Sequence, residues 1–332
     1  MVWLKFLACL VIILFAGSRL AHYGDAIAEK TGWGRLWVGL LFLAVVTSAP
    51  ELVTGVSSVA LVKLPDLAAG TLLGSCLFNL SILAVLDVLN RPGPMLSHAS
   101  PRHVASAGLG MLLLAVAGGA IMAGGRIAGL ALGWLGIPTL IIGGLYVAGV
   151  RQIFRYEFRS QPVLLEPEAN RYDGSSTGAV WAKFGLAAVA IIGAGIWLSF
   201  VGNEIDAATG WGASFVGSMF LAISTSMPEL VVAIAALRLG AVDMAVADIL
   251  GANMLDVAHL FTVDLFYRPG PVLAAVSGAH LVTIGLAIAM NLVVITGLRC
   301  RARRKTLRVI SWQGLALIGL YVLGAYLLFI MG

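Results

Sequence analysis

Of 332 residues, 60% are hydrophobic and only 11% are charged, with a mean hydropathy of +0.99 and a formal net charge of +5. A soluble domain carries about 25% charged residues, so the composition excludes a soluble enzyme or a nucleic-acid-binding domain and places the chain in a lipid bilayer. The apolar stretches are about 20 residues long or more, the length a helix needs to cross the hydrocarbon core, and lack the period-two alternation of an outer-membrane barrel.

In chain order the apolar stretches predict spans over 2–23, 36–62, 66–89, 102–123, 127–150, 179–201, 212–238, 243–266, 274–298 and 308–330. The first resembles a signal peptide, but its apolar run continues to Tyr23 without a cleavage signature and is read as a span. Ten spans divide as five plus five: a first unit over 1–150, a polar connector over 151–178 and a second unit over 179–332. Cys9, Cys76 and Cys300 have no ligand spacing, so neither zinc nor a disulfide framework is expected.

The two units repeat one pattern. Thr31-Gly32-Trp33-Gly34 returns as Thr209-Gly210-Trp211-Gly212, Thr47-Ser48-Ala49-Pro50-Glu51 as Thr225-Ser226-Met227-Pro228-Glu229, and Arg91-Pro92-Gly93-Pro94 as Arg268-Pro269-Gly270-Pro271. The loops after spans one, three, five, seven and nine, with Arg19, hold all 21 Lys and Arg except Lys5, Lys63, Arg126 and Arg268. The positive-inside rule puts that side in the cytoplasm and both termini outside. Five spans per unit then turn the halves upside down relative to each other, and an inverted repeat with interrupted helices is the plan of secondary transporters, with ion sites near the midplane.

Pro50 and Pro228 lack the N–H that the carbonyls of Val46 and Ser224 would otherwise accept, so each pentad opens its helix. Thr47 and Ser48 lie four and three residues before Glu51, which predicts hydroxyls on the same helix face as that carboxylate. An intramembrane carboxylate costs roughly 2.5–3.5 kcal/mol on insertion scales and is by default a functional group. The following span of the first unit carries Ser75 and Asn79, and that of the second carries Asn253 and Asp256 after Ala252. Carboxylates, an amide, hydroxyls and freed carbonyls together are the all-oxygen set preferred by Ca2+ and Na+. Asp248 shares a face with Asp256 but falls near a helix end and is read first as a solvent-reached carboxylate, with a place in the ion path as the alternative; His259 is read as a packing group. Asp87 and Asp264 are read as structural, with Arg91 and Arg268 as neighbouring partners.

The duplicated pentad, each followed by a Gly-Ser-x-x-x-Asn or Gly-x-x-x-x-Asp stretch, resembles the two alpha repeats of the cation/calcium exchanger superfamily, especially its sodium/calcium exchangers. The resemblance implies an all-α polytopic membrane protein of ten helices in two inverted five-helix repeats, broken at the midplane. It also implies an antiporter that exchanges Ca2+ for Na+ by alternating access, with the first and sixth spans moving. The ion ligands it implies are Glu51, Glu229, Asn79 and Asp256, the hydroxyls of Thr47, Ser48, Ser75, Thr225 and Ser226, and the backbone carbonyls of Ala44 and Ala222. The sequence departs from the family pattern at Val46 and Ser224, where a glycine usually opens the pentad, at Ala252 for serine, and at Thr71, Cys76 and Asp248 for asparagine. A proton-coupled or other divalent exchanger and a cation channel are the alternatives. Gly-x-Gly-Asp, His-Glu-x-x-His and Gly-x-Ser-x-Gly motifs are absent, so no enzyme is expected, no cofactor, and no partner beyond inorganic cations and the bilayer of the plasma (inner) membrane.

Overall fold

The computed structural model describes residues 1–31, 45–91, 93–127, 130–160, 176–300 and 304–331. The main helices are α1 (Val2–Thr31), α2 (Ala49–Ser57), α3 (Pro65–Leu89), α4 (His103–Ala123), α5 (Ile137–Ser160), α6 (Thr177–Thr209), α7 (Met227–Arg238), α8 (Val242–Phe266), α9 (His280–Arg299) and α10 (Trp312–Met331). Among the described residues eight helices are long and apolar enough to span a membrane. A ninth span is the pair Ala213–Thr225 and Met227–Arg238, bent by 44°. The helix around the first pentad, Ala49–Val62, is shorter. The expected span over 36–62 begins among residues outside those described, as does Ala44, so the count of ten is not met within the described chain.

Several helix boundaries differ from expectation, by most at α1, α5 and α6. α1 and α6 end at Thr31 and Thr209, eight residues later than the hydropathy indicates, because Ala, Glu and Asp continue a helix after it has left the apolar layer. Gly210, at φ 66°, caps α6 in the left-handed conformation that favours glycine. α5 starts ten residues later than expected, at Ile137, after a small hairpin pairing Ala131–Leu132 with Leu135–Gly136. The glycines through 124–136 and Pro138 carried that signal. α5 also runs to Ser160, so the connector begins as helix.

α3 and α8 form the centre. Each is 25 residues long, begins with an acid in its first turn (Asp66, Asp243) and has 72% of its span buried. Leu72, Leu73, Leu77 and Leu80 pack with Ile249, Leu250, Val257 and Leu260 in the main core. Gly74 permits a close approach of backbone to backbone: a Cβ there would lie 2.4 Å from the Ser218 backbone. α1 and α6 pack on each other in a second, smaller core of Cys9, Ile13 and Leu20 with Ile191, Leu198 and Val201. Lys5 and Glu204 join them by an ion pair at 2.7 Å.

The repeat reappears as paired contacts at opposite ends of the bundle. Asp87 accepts from the N–H of Met95 (2.8 Å) and of Ser311 (2.7 Å), and Asp264 from the N–H of Val272 (2.7 Å) and of Gly136 (2.8 Å). Lys305 caps the Asp87 carbonyl and Thr139 donates to Asp264. The structural reading of these aspartates holds, but neither pairs with its arginine; Arg268 instead lies over the Trp134 ring at 3.9 Å. Asp66 accepts from Ser277 N–H (2.6 Å) and meets His280 Nε2 at 3.0 Å, while Asp243 accepts from Ser100 N–H (2.6 Å) and meets His103 Nε2 at 3.0 Å. Each acid therefore ties one half to the other. These contacts group Asp66, Asp264, Trp134 and Arg268 with the turns before α5 and α9, and Asp87, Asp243 and Lys305 with the turns before α4 and α10.

Candidate ion-binding site

Each pentad breaks its helix at the serine. Ser48 (φ −83°, ψ 10°) and Ser226 (φ −86°, ψ 11°) hold the same conformation in the bridge region, and Pro50 and Pro228 follow in the first turn of α2 and α7. That turn swings the hydroxyls away from the carboxylates of their own helices. Ser226 Oγ donates to Glu51 Oε1 at 2.7 Å and Ser48 Oγ donates to Glu229 Oε1 at 3.2 Å. At the serines, the shared helix face expected from the spacing gives way to an exchange between the two halves.

The same exchange continues one layer along α3 and α8. Asn79 Nδ2 donates to Asp256 Oδ2 at 3.3 Å, and Asn253 Nδ2 donates to the Cys76 carbonyl at 3.3 Å while Cys76 Sγ lies 3.7 Å from the Asn253 carbonyl. Asn79 with Asp256 and Cys76 with Asn253 are repeat partners, so these contacts lie along the approximate two-fold relation of the halves.

The site is closed from solvent. Thr47, Ser48, Glu51, Ser75, Asn79, Thr225, Ser226, Glu229, Asp256 and Ala222 are all 0% exposed. Glu229 lies near Glu51, Asp256 and Asp248, Asp256 lies near Glu51, and the hydroxyls of Ser75 and Thr225 border Glu51. Glu51 Oε2, Glu229 Oε2, Asp256 Oδ1, Asn79 Oδ1 and Ser75 Oγ are buried without a hydrogen-bond partner. Buried anionic oxygens without compensation are strongly unfavourable, and no described lysine or arginine forms an ion pair with these acids. Among the described residues no three acidic, histidine or cysteine side chains converge on one point. The donors gathered here are therefore a mixed set of carboxylate, amide and hydroxyl oxygens, the ligand type of hard cations. The Ala222 carbonyl accepts from Ser226 N–H (3.0 Å) and from Thr225 Oγ1 (3.2 Å), which leaves it tied to its own helix turn. Ala44 lies outside the described residues.

Asp248 is 2% exposed with both carboxylate oxygens unpaired, where its repeat partner Thr71 simply returns its hydroxyl to the Leu67 carbonyl at 2.8 Å. His259 is also buried, with Nδ1 unpaired. Sequence spacing does not reveal the His103–Asp243 and His280–Asp66 contacts, whose partners are 140 and 214 residues apart.

Comparison with known proteins agrees with this architecture. The sequence profile of the family described as sodium/calcium exchanger protein matches residues 1–150 and 179–330. The inner membrane protein YrbG of Escherichia coli is 27% identical over 268 residues, 79% of each chain. A putative antiporter, CaxA, of Alkalimonas amylolytica is 25% identical over 326 residues, 96% of each chain. Among solved structures, the sodium-calcium exchanger NCX_Mj superposes with a TM-score of 0.62 at 17% identity, covering 97% of this chain and 98% of that one. Native YfkE gives 0.66 at 16% identity, covering 98% and 92%. Both structural likenesses carry the fold.

Proposed function

This chain belongs to the family of sodium/calcium exchanger proteins, and on that footing we propose that it is a secondary antiporter exchanging Ca2+ for Na+ at one buried site on the axis between its halves. The observation that carries the reading is the crossed pair Ser226–Glu51 and Ser48–Glu229: neither half completes the site alone, so relative movement of the halves changes the site and its access together. The free oxygens of Glu51, Glu229, Asp256, Asn79 and Ser75 are its ligands, joined by Thr47, Ser48, Thr225 and Ser226 and the carbonyls of Ala44 and Ala222 as the halves rearrange.

The units are 1–150 and 179–332, joined by a cytoplasmic connector over 151–178. The chain is a multi-pass membrane protein of the inner (plasma) membrane type with both termini extracytoplasmic. α1 and α6 move as a pair in alternating access, a reading supported by their own small core and by the Lys5–Glu204 ion pair. Asp248 favours one second reading, in which a proton replaces sodium as the coupling ion, because this unpaired buried carboxylate has no counterpart in the first half.

Radioactive calcium uptake into proteoliposomes tests both. A sodium gradient should drive accumulation, while a proton gradient or no gradient should not. Accumulation that follows the proton gradient and ignores sodium replaces the first reading with the second. Uptake without any counter-ion makes the protein a channel.

A further inference from the structure

Two adjoining hollows at one end of the bundle belong to neither the ion site nor the packing of the halves. The first, about 880 Å3, lies between the end of α3 and the turn from α7 into α8, where Arg91, His98, Leu237, Arg238 and Met244 line it. The second, about 500 Å3, runs along the outer side of α7 over Val231, Ala235 and Leu239 and shares Ile234 and Arg238 with the first. They form one continuous depression with a basic end and an apolar tail.

At the basic end neither arginine is paired with an anion among the described residues, although the Asp243 carboxylate shares the lining. Neither Arg91 nor Arg238 makes an ion pair or hydrogen bond with any described residue, and His98 is held through Nδ1 by the Pro94 carbonyl at 3.0 Å, leaving Nε2 unbonded. Asp243 also lines the first hollow, but its Oδ1 is engaged by Ser100 N–H and His103. Guanidinium groups with free donors match phosphate oxygens in charge and geometry. The tail is exposed hydrocarbon: Val231 on α7 is 37% exposed and Leu239, the residue that caps it, 64%. By the charge distribution this end faces the cytoplasmic leaflet, where anionic lipids are concentrated.

We infer that this depression binds one phospholipid with an anionic headgroup, the phosphate between Arg91 and Arg238 and an acyl chain along Val231, Ala235 and Leu239. Arg91 belongs to the first half and Arg238 to the second, so the lipid bridges the halves on that face. The inference rests on the membrane topology above and is independent of which ions are exchanged.

The test is lipid binding to purified, delipidated protein, read by native mass spectrometry and by thermal unfolding, with phosphatidylglycerol, phosphatidylcholine or inorganic phosphate added. Phosphatidylglycerol should bind roughly tenfold tighter than phosphatidylcholine, which carries the same phosphate but adds a quaternary ammonium that the two arginines repel, and should raise the unfolding midpoint. Arg91→Gln with Arg238→Gln should abolish the preference, and Leu239→Glu should weaken binding of both lipids. Arg299→Gln with Arg304→Gln, on the same side but outside the depression, should leave it intact. If the glutamine pair does not fold, Arg91→Lys with Arg238→Lys keeps the charge without the bidentate fork and should reduce the preference. Equal binding of the two lipids, a preference that survives the folded arginine variants, or protection by inorganic phosphate equal to that by phosphatidylglycerol overturns the proposal.

Discussion

Glu51 and Glu229 are each steadied by a serine from the other half, and that crossing decides what single substitutions should do. A hydrogen bond to a charged group is worth about 1.5–3 kcal/mol, so Ser226→Ala or Ser48→Ala should weaken calcium affinity roughly tenfold or more, with Ser226→Ala the more damaging because its bond is 2.7 Å against 3.2 Å. The concentration dependence of calcium flux checks this, and unchanged half-saturation in both variants would remove the crossed pairs from the site. Asp256→Asn deletes the one charge by which the Asn79–Asp256 pair departs from symmetry. It should reduce sodium-driven exchange more than calcium binding, whereas Ala252→Ser, which restores the hydroxyl present at Ser75, should raise apparent sodium affinity. Flux against sodium concentration reads both. The identities of these groups were legible in the duplicated pentads, since carboxylates and prolines in apolar runs have few structural uses. Their partners were not, because spacing along a helix describes an unbroken helix, and the breaks at Ser48 and Ser226 redirect the hydroxyls across the axis.

At the scale of elements, the site depends on how closely α3 and α8 approach the pentad helices. Gly74 is the sharpest constraint: a methyl group would stand 2.4 Å from both Cα and O of Ser218, while at Gly119 on α4 it would meet nothing within 4 Å. Gly74→Ala should destabilise the protein by about 1–3 kcal/mol through overpacking and reduce transport, whereas Gly119→Ala should leave the unfolding midpoint unchanged. Thermal unfolding in detergent measures the contrast, and equal midpoints would mean that the α3 contact yields freely. Helix centres were readable from hydropathy, as the close agreement over α3 and α8 shows. Ends were not: hydropathy marks where a helix leaves lipid, while α1 and α6 continue for two polar turns and α5 waits for the hairpin over 131–136.

At the scale of the whole molecule, inverted halves require that equivalent residues face opposite compartments, and the capping contacts of Asp87 and Asp264 lie at opposite ends accordingly. Cys300 is exposed after α9, whereas Cys9 and Cys76 are buried. A membrane-impermeant thiol reagent should therefore label Cys300 in inverted vesicles and not in intact cells; labelling of intact cells would reverse the orientation. The repeat, the inversion and the family were legible because duplication leaves matched motifs and the basic residues sort to one side. The histidine–aspartate ties between halves were not, since they join residues that only the folded topology brings together.

The proposed exchanger has one shared cation site completed by both pentads. Equilibrium binding of radioactive calcium to purified protein, with sodium as competitor, tests it most directly when wild type is compared with Glu51→Gln and Glu229→Gln, each confirmed as folded by its unfolding transition. Wild type should bind calcium and release it as sodium rises, and each variant alone should lose at least about tenfold in affinity, as expected when a charge-assisted contact is removed from a buried site. Wild-type affinity retained in either folded variant, or calcium binding indifferent to sodium, would contradict a shared sodium and calcium site.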